Sequence, residues 1–340
     1  MKYFFAGLIL MIFSTVNSSL IANEAYYTMK TIGQHDDEVL GVFVNWNNTM
    51  FASCSVDESV KLWSLPDGKL IRTMVGHLGE VNNVSFSGND KYLATGSTDH
   101  TVKIWDVATG KELKTLFGHT DQVIGVYFSQ DAASTFVAST SFDKTVKLWD
   151  VALGKEIKTL RGHTATINNV AYSYDGLNIA SCSDDKTIKI WSTDLNSKEA
   201  VKTLVGHEAP VLTCVYSFDS KKMVSSDQSG QVIIWSMPEG TILRKIQAHN
   251  DLVQDVSFAE DNKTIVTGSL DKTVKLWNSD NGENLMVYFL GSEVWSVDLV
   301  SSAEIVTVGC ADGTVRLITK VDPAKMQIDN KQKKDTKKKK

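Results

Sequence analysis

The sequence predicts an all-β fold in which copies of one small sheet stack into a closed ring. Three observations predict it. A tryptophan recurs as Trp63, Trp105, Trp149, Trp191, Trp235 and Trp277, at steps of 42, 44, 42, 44 and 42 residues. A histidine recurs as His35, His77, His119, His163, His207 and His249, at steps of 42, 42, 44, 44 and 42. Between these landmarks lie short apolar runs that alternate with a period of two. Such alternation puts successive side chains on opposite faces, as in a β-strand.

The unit is clearest in Gly118–Asp150. Its runs Val123–Phe128, Phe136–Ser139 and Thr145–Trp149 read as strands, separated by the polar turn clusters SQDAAS and SFDK. Three strands alone have no closed core, so the unit must stack on its copies. A fourth run follows each tryptophan: Leu70–Met74, Leu113–Leu116, Ile157–Leu160, Val201–Leu204, Ile242–Ile246 and Leu285–Phe289. A seventh, eroded copy has Gly291-Ser292 in place of Gly-His and Ile318 in place of the tryptophan. It ends near Thr319 without a fourth run. The run Tyr26–Ile32, YYTMKTI, stands before His35 and matches LKTLFGH elsewhere. The N-terminal strand is therefore expected to complete the last unit. Closure removes sheet edges that would otherwise pair with other chains.

A period in the forties, opened by Gly-His and closed by Trp-Asp, resembles the WD-repeat (WD40) β-propeller family over roughly Tyr26 to Val321. The resemblance implies a seven-bladed β-propeller of four-stranded antiparallel blades, closed by the N-terminal strand. The expected division is a leader over 1–22, the propeller over 23–322 and a lysine-rich tail over 323–340.

Each repeat also carries an aspartate six residues before the tryptophan and a serine or threonine ten before it. The full sets are His35, Ser53, Asp57, Trp63; His77, Thr95, Asp99, Trp105; His119, Ser139, Asp143, Trp149; His163, Ser181, Asp185, Trp191; and His249, Thr267, Asp271, Trp277. A His/Asp/Ser set looks like a hydrolase triad. One such set suits catalysis, whereas repetition in blade after blade is architecture. In the family these four side chains form a buried chain of hydrogen bonds. Blade five departs, with Ser229 at the aspartate position beside His207, Ser225 and Trp235. Blade seven keeps only Asp312. These two blades are expected to lack full networks and to be less rigid.

Little chemistry is left over. Six of the seven histidines are structural, and His100 sits in a turn after Asp99. No phosphate-binding glycine loop or zinc spacing stands out. The expectation is a non-enzymatic chain with no cofactor, no metal and no small-molecule substrate. Cys54, Cys182, Cys214 and Cys310 read as buried single thiols rather than a disulfide framework.

The last ten residues, KQKKDTKKKK, hold seven lysines and one aspartate, a net of +6. The other 330 residues therefore carry −11 against the formal −5 of the whole. An acidic body is poorly suited to nucleic acid, so RNA or an anionic surface is expected only at the tail. The start of the chain, Lys2 followed by the apolar run Tyr3–Phe13 and the small residues near Ser18, reads as a signal peptide. That reading implies export. The alternative is a cytoplasmic or nuclear complex subunit, in RNA processing, chromatin or ubiquitin transfer, with the lysine tail touching nucleic acid.

The resemblance implies that partners bind the narrow top face. There the residues flanking the first-strand valine and preceding the structural aspartate form the rim. Phe142 and Trp295 are its aromatic anchors and are expected to be exposed. Leu40, Ile124, Leu212, Leu252 and Leu270 surround them, and Glu38, Glu80 and Asp184 supply negative charge. Aromatic anchors with apolar neighbours dominate interface energetics. The expected partner is a protein or peptide with basic or apolar groups, bound by a monomeric propeller within a larger complex. Trp46, in the first turn of blade one, lies outside this face.

Overall fold

The computed structural model describes residues 26–130, 135–197, 199–300 and 304–321. The expected leader and lysine tail lie outside the described residues. Met29–Thr319 form one compact unit. The described residues fold into strands alone, arranged as seven four-stranded antiparallel sheets. No helix among them is long and apolar enough to cross a membrane.

Blade one comprises Val39–Val44, Met50–Ser55, Ser59–Ser64 and Leu70–Val75, and five more blades repeat this order along the chain. Blade seven takes Val294–Leu299, Ile305–Cys310 and Thr314–Val321, with Tyr26–Gln34 as its fourth, outer strand. The ring is thus closed by the N-terminal strand. At the seam the His35 amide donates to the Gly313 carbonyl at 2.9 Å.

Burial follows strand position. In blade three every residue from Val137 to Ser141 on the second strand is buried. The outer strand of blade five, Thr241–Gln247, has no buried residue. The core lies between blades, not within them. Ala94, Ile104 and Leu116 of blade two pack with Val123, Val126, Phe128 and Trp149 of blade three. One sheet presents two apolar faces, and only neighbouring sheets cover both.

The inner first strands leave edge amides pointing at the previous blade. Side chains of the preceding inner strand satisfy several of them. Val126 N donates to Asn83 Oδ1 at 3.3 Å, and Phe128 N to Ser85 Oγ at 3.2 Å. Across blades six, seven and one, Val297 N donates to Asp255 Oδ2 at 3.1 Å and Val44 N to Asp298 Oδ2 at 2.8 Å. Buried backbone groups need partners, and these strands find them without sheet pairing.

Every first strand is bulged one residue after its opening valine or, in blade four, Ile167. In blade three Val123 pairs with Ser141 and Gly125 with Thr140, so Ile124 faces no partner. A bulge of this kind re-aims a side chain. These bulges lie at the end of the ring where first strands begin, called the upper end below.

Candidate functional site

The repeated histidine sets are buried networks. In blade three His119 Nδ1 lies 2.7 Å from Asp143 Oδ2, and His119 Nε2 lies 2.8 Å from Ser139 Oγ. Trp149 Nε1 donates to the same Ser139 oxygen at 2.7 Å. The carboxylate takes the Nδ1 proton, so Nε2 must accept the serine proton, and the serine oxygen accepts from tryptophan. The structure brings together the same four side chains around Ser53, Thr95, Ser181 and Thr267. Ser139 is fully buried. Its oxygen is already engaged by tryptophan and histidine, so no carbonyl substrate reaches it.

Electrostatics fit this arrangement. Burial lowers His249 to about 4 against the opposing pull of Asp271, which keeps the imidazole neutral. Burial would raise Asp57, but hydrogen bonds from the Ser59 hydroxyl and the Asp36 amide, with His35, bring it down to about 2. The motif glycine also has a packing reason. A Cβ on Gly118 would sit 3.0 Å from Trp149 Cη2, and one on Gly206 2.8 Å from Trp235 Cη2. Gly-His is therefore spelled by the tryptophan it rests on.

One expectation about the networks is corrected. Blade five has a full network. His207 Nδ1 meets Asp227 Oδ2 at 2.6 Å, His207 Nε2 meets Ser225 Oγ at 2.6 Å, and Trp235 Nε1 donates to Ser225 at 2.8 Å. Aspartate and serine have exchanged places along the turn, and the Ser229 hydroxyl donates to Asp227 Oδ1 at 2.6 Å. The sequence signal was present as Asp227-Gln228-Ser229 against Ser-x-Asp in the other histidine-bearing blades. Of the four network residues blade seven keeps Asp312 alone, and Arg316 stands beside it. The Arg316 guanidinium pairs with the Asp312 carboxylate and donates from Nη1 to the Leu290 carbonyl at 2.7 Å. Arg316 is buried, and its position two residues before Ile318 holds lysine in most blades.

At the upper end one backbone bond recurs in all seven blades. It joins the turn after the second strand to the residue before the first: Val56 N to Glu38 O, Thr98 N to Glu80 O, Phe142 N to Gln122 O, Asp184 N to Thr166 O, Gln228 N to Pro210 O, Leu270 N to Leu252 O and Ala311 N to Glu293 O. Glu38, Glu80, Phe142, Asp184, Leu252 and Leu270 thus occupy the same end. Leu40, Ile124, Leu212 and Trp295 are bulge residues beside them. Asn82 and Asn168, at bulge positions of blades two and four, instead donate across to the carbonyls of Val123 and Val211.

Phe142 is 40 % exposed and Glu80 is exposed. Trp295 is half-buried rather than exposed as its rim position suggested, and Leu40, Ile124, Leu212, Leu252, Leu270, Glu38 and Asp184 are half-buried too. Burial raises the Glu38 carboxyl, and the charges of Asp37, Glu293 and Glu80 add to it. The Trp295 indole N–H, turned toward Glu38, opposes this without closing a well-formed hydrogen bond. The upper mouth is therefore an acidic, partly desolvated collar around apolar bulge residues.

All four cysteines are buried and free. Cys182 and Cys214, on neighbouring blades, lie in one apolar cluster, a proximity that their sequence spacing did not signal. His100 is exposed in its turn.

Comparison with known proteins agrees with this geometry. The family described as "WD domain, G-beta repeat" matches residues 27–64, 68–106, 110–150, 154–192, 198–236 and 240–278. A similar protein is "WD repeat-containing protein 89 homolog" of Dictyostelium discoideum, 34% identical over 59 residues. That match spans 17% of this chain and 16% of the relative. WD40 propellers are generally non-enzymatic scaffolds that bind protein partners. The three inner strands of the seventh blade fall outside the matched repeats; that blade has lost the histidine and the tryptophan, yet it completes the ring, and the chain belongs to the WD40 family.

Proposed function

We propose that this chain is a non-enzymatic scaffold that holds a protein or peptide partner at the upper mouth of its propeller. The observation that carries this reading is the collar itself. Burial raises Glu38 there, with the charges of Asp37, Glu293 and Glu80 adding to it, and Phe142 and Trp295 stand on the same end. Like charges held together with a burial cost favour a ligand that brings positive charge and apolar surface. A lysine or arginine flanked by apolar residues has that chemistry.

The test is partner capture by the propeller, followed by affinity measurement with variants. Phe142→Ala and Trp295→Ala are each expected to weaken binding by roughly 2 kcal/mol or more, the size of an interface hot spot. Phe142→Ala leaves the melting temperature unchanged, whereas half-buried Trp295 gives a modest drop. Trp46→Ala serves as the control from the opposite end. A partner lost with Trp46→Ala and kept with both upper variants overturns the reading.

A further inference from the structure

The opposite, lower end of the channel holds a second site. A cavity of about 100 Å³ opens there among the turns that join first and second strands. On one side five rings from blades one, three, four and five pack together. Tyr174 stacks on Phe218 at 4.5 Å, Trp46 meets Tyr174 edge-on at 5.8 Å, and Phe43 meets Tyr127 edge-on at 5.6 Å. Asp90 of blade two pins the Trp46 turn, accepting the Trp46 amide at 2.9 Å and the Asn47 amide at 3.1 Å.

The other side is acidic. Asp255 and Asp298 project from the inner strands of blades six and seven, and Glu260 stands exposed on the turn of blade six. Burial raises both aspartates, Asp255 to about 7, and the charge of Asp298 adds to the effect on Asp255. Their hydrogen bonds come only from backbone amides and serines. No lysine, arginine or histidine lines the cavity, and none of these three carboxylates has an ion-pair partner among the described residues. Two buried polar atoms of lining residues have no partner either: the Trp46 indole nitrogen and the hydroxyl of Tyr216, a side chain only 3% exposed.

We propose that this lower mouth binds a small organic cation, an alkylammonium group whose charge lies against Asp298, Asp255 and Glu260 and whose carbons pack on Phe43 and Trp46. Carboxylates without cations beside ring faces attract such a group by charge and by the ring quadrupole together. The volume suits an ammonium head with a few carbons rather than a folded segment. No group of three His, Cys, Asp or Glu able to hold a metal ion occurs among the described residues, so the organic cation fits better.

The experiment is calorimetric titration of the full chain with butylammonium and tetramethylammonium, with butanol as the neutral comparison. Both ammonium probes are expected to bind saturably and butanol not. Tighter butylammonium binding assigns the site to lysine side chains, and tighter tetramethylammonium binding to quaternary amines. Asp298→Asn is expected to weaken binding about tenfold and exposed Glu260→Gln about threefold, as lost charge at short range dictates. Asp298 also accepts the Val44 amide, so its variant is checked for folding. If it does not fold, Glu260→Gln and Trp46→Leu decide. Phe142→Ala leaves binding unchanged, which separates this site from the upper one. Absence of saturable binding at roughly 10 mM probe, equal binding of butanol, or unchanged affinity in every folded lower-mouth variant overturns the proposal.

Discussion

Asp227 reaches His207 from eight residues before Trp235, where Ser55, Ser97, Ser141, Ser183 and Ser269 stand before their own tryptophans. What is retained is the carboxylate at Nδ1, not the residue position. The buried ring needs an acceptor there, and two backbone routes deliver one. Asp227→Ser is therefore expected to cost roughly 1–3 kcal/mol, because His207 loses its acceptor in the interior. Adding Ser229→Asp restores the arrangement of the other blades and should recover most of that loss. Thermal and urea unfolding of the single and double variants reads both outcomes. A double variant no more stable than the single would show that the exchange is fixed by something other than the carboxylate.

At the scale of the element, the outer strand Tyr26–Gln34 joins the two ends of the chain. It covers Thr314–Val321, which would otherwise be an open edge at the seam. Ile32 packs into the seam core with Val39, Trp63 and Leu317, and Gly33 lies against the Trp63 ring. Deletion through Ile32 removes most of this strand and should cost several kcal/mol, lowering the melting temperature by roughly 10 °C at about 2–4 °C per kcal/mol. Deletion that stops at Asn23 keeps the strand and should leave the melting temperature in place. Equal melting temperatures for the two truncations would sink the role of the strand in closure.

For the whole molecule, acid response is a balance between two kinds of buried group. His35 and His249 are held neutral by burial, so the folded state binds fewer protons than the unfolded one. Their contribution is complete above about pH 6.5 and fades as pH falls toward 4. Asp255, raised to about 7 by burial, acts in the opposite sense. Folded protein takes up its proton first, so this term favours folding as pH falls from 7 toward about 4. Asp298, also raised by burial, acts with Asp255, so the two buried carboxyls oppose the loss from the histidines across this window. Below about pH 4 the lowered aspartates of the networks, Asp57 among them, give way and stability drops. Asp255→Asn removes one of the two raised carboxyls, so its profile is read against that of the parent chain. Relative to the parent, its unfolding free energy should fall between pH 6.5 and 4 with a slope of up to about 1.4 kcal/mol per pH unit, measured by urea titration across pH. A pH profile parallel to that of the parent chain would contradict the assignment.

The sequence by itself determined the repeat, the count of seven, the closing strand and five of the histidine networks. These follow from local spelling, because each blade makes the same turns and buries the same tryptophan. The missing fourth run at one end and the spare run at the other could be read directly. Only the tertiary structure decided what depends on neighbours in space. Asp227 stands off the repeat register, and only its direction shows that it replaces the usual aspartate. Arg316 gives blade seven an ion pair where the histidine was lost, a use that a basic residue in a strand does not announce. Trp46 shows the limit most plainly. Its spacing places it in a turn of blade one, but its ring meets Tyr174 and Phe218 of blades four and five across the channel. A closed ring brings such distant turns to one mouth, and no pattern within a single repeat encodes that meeting.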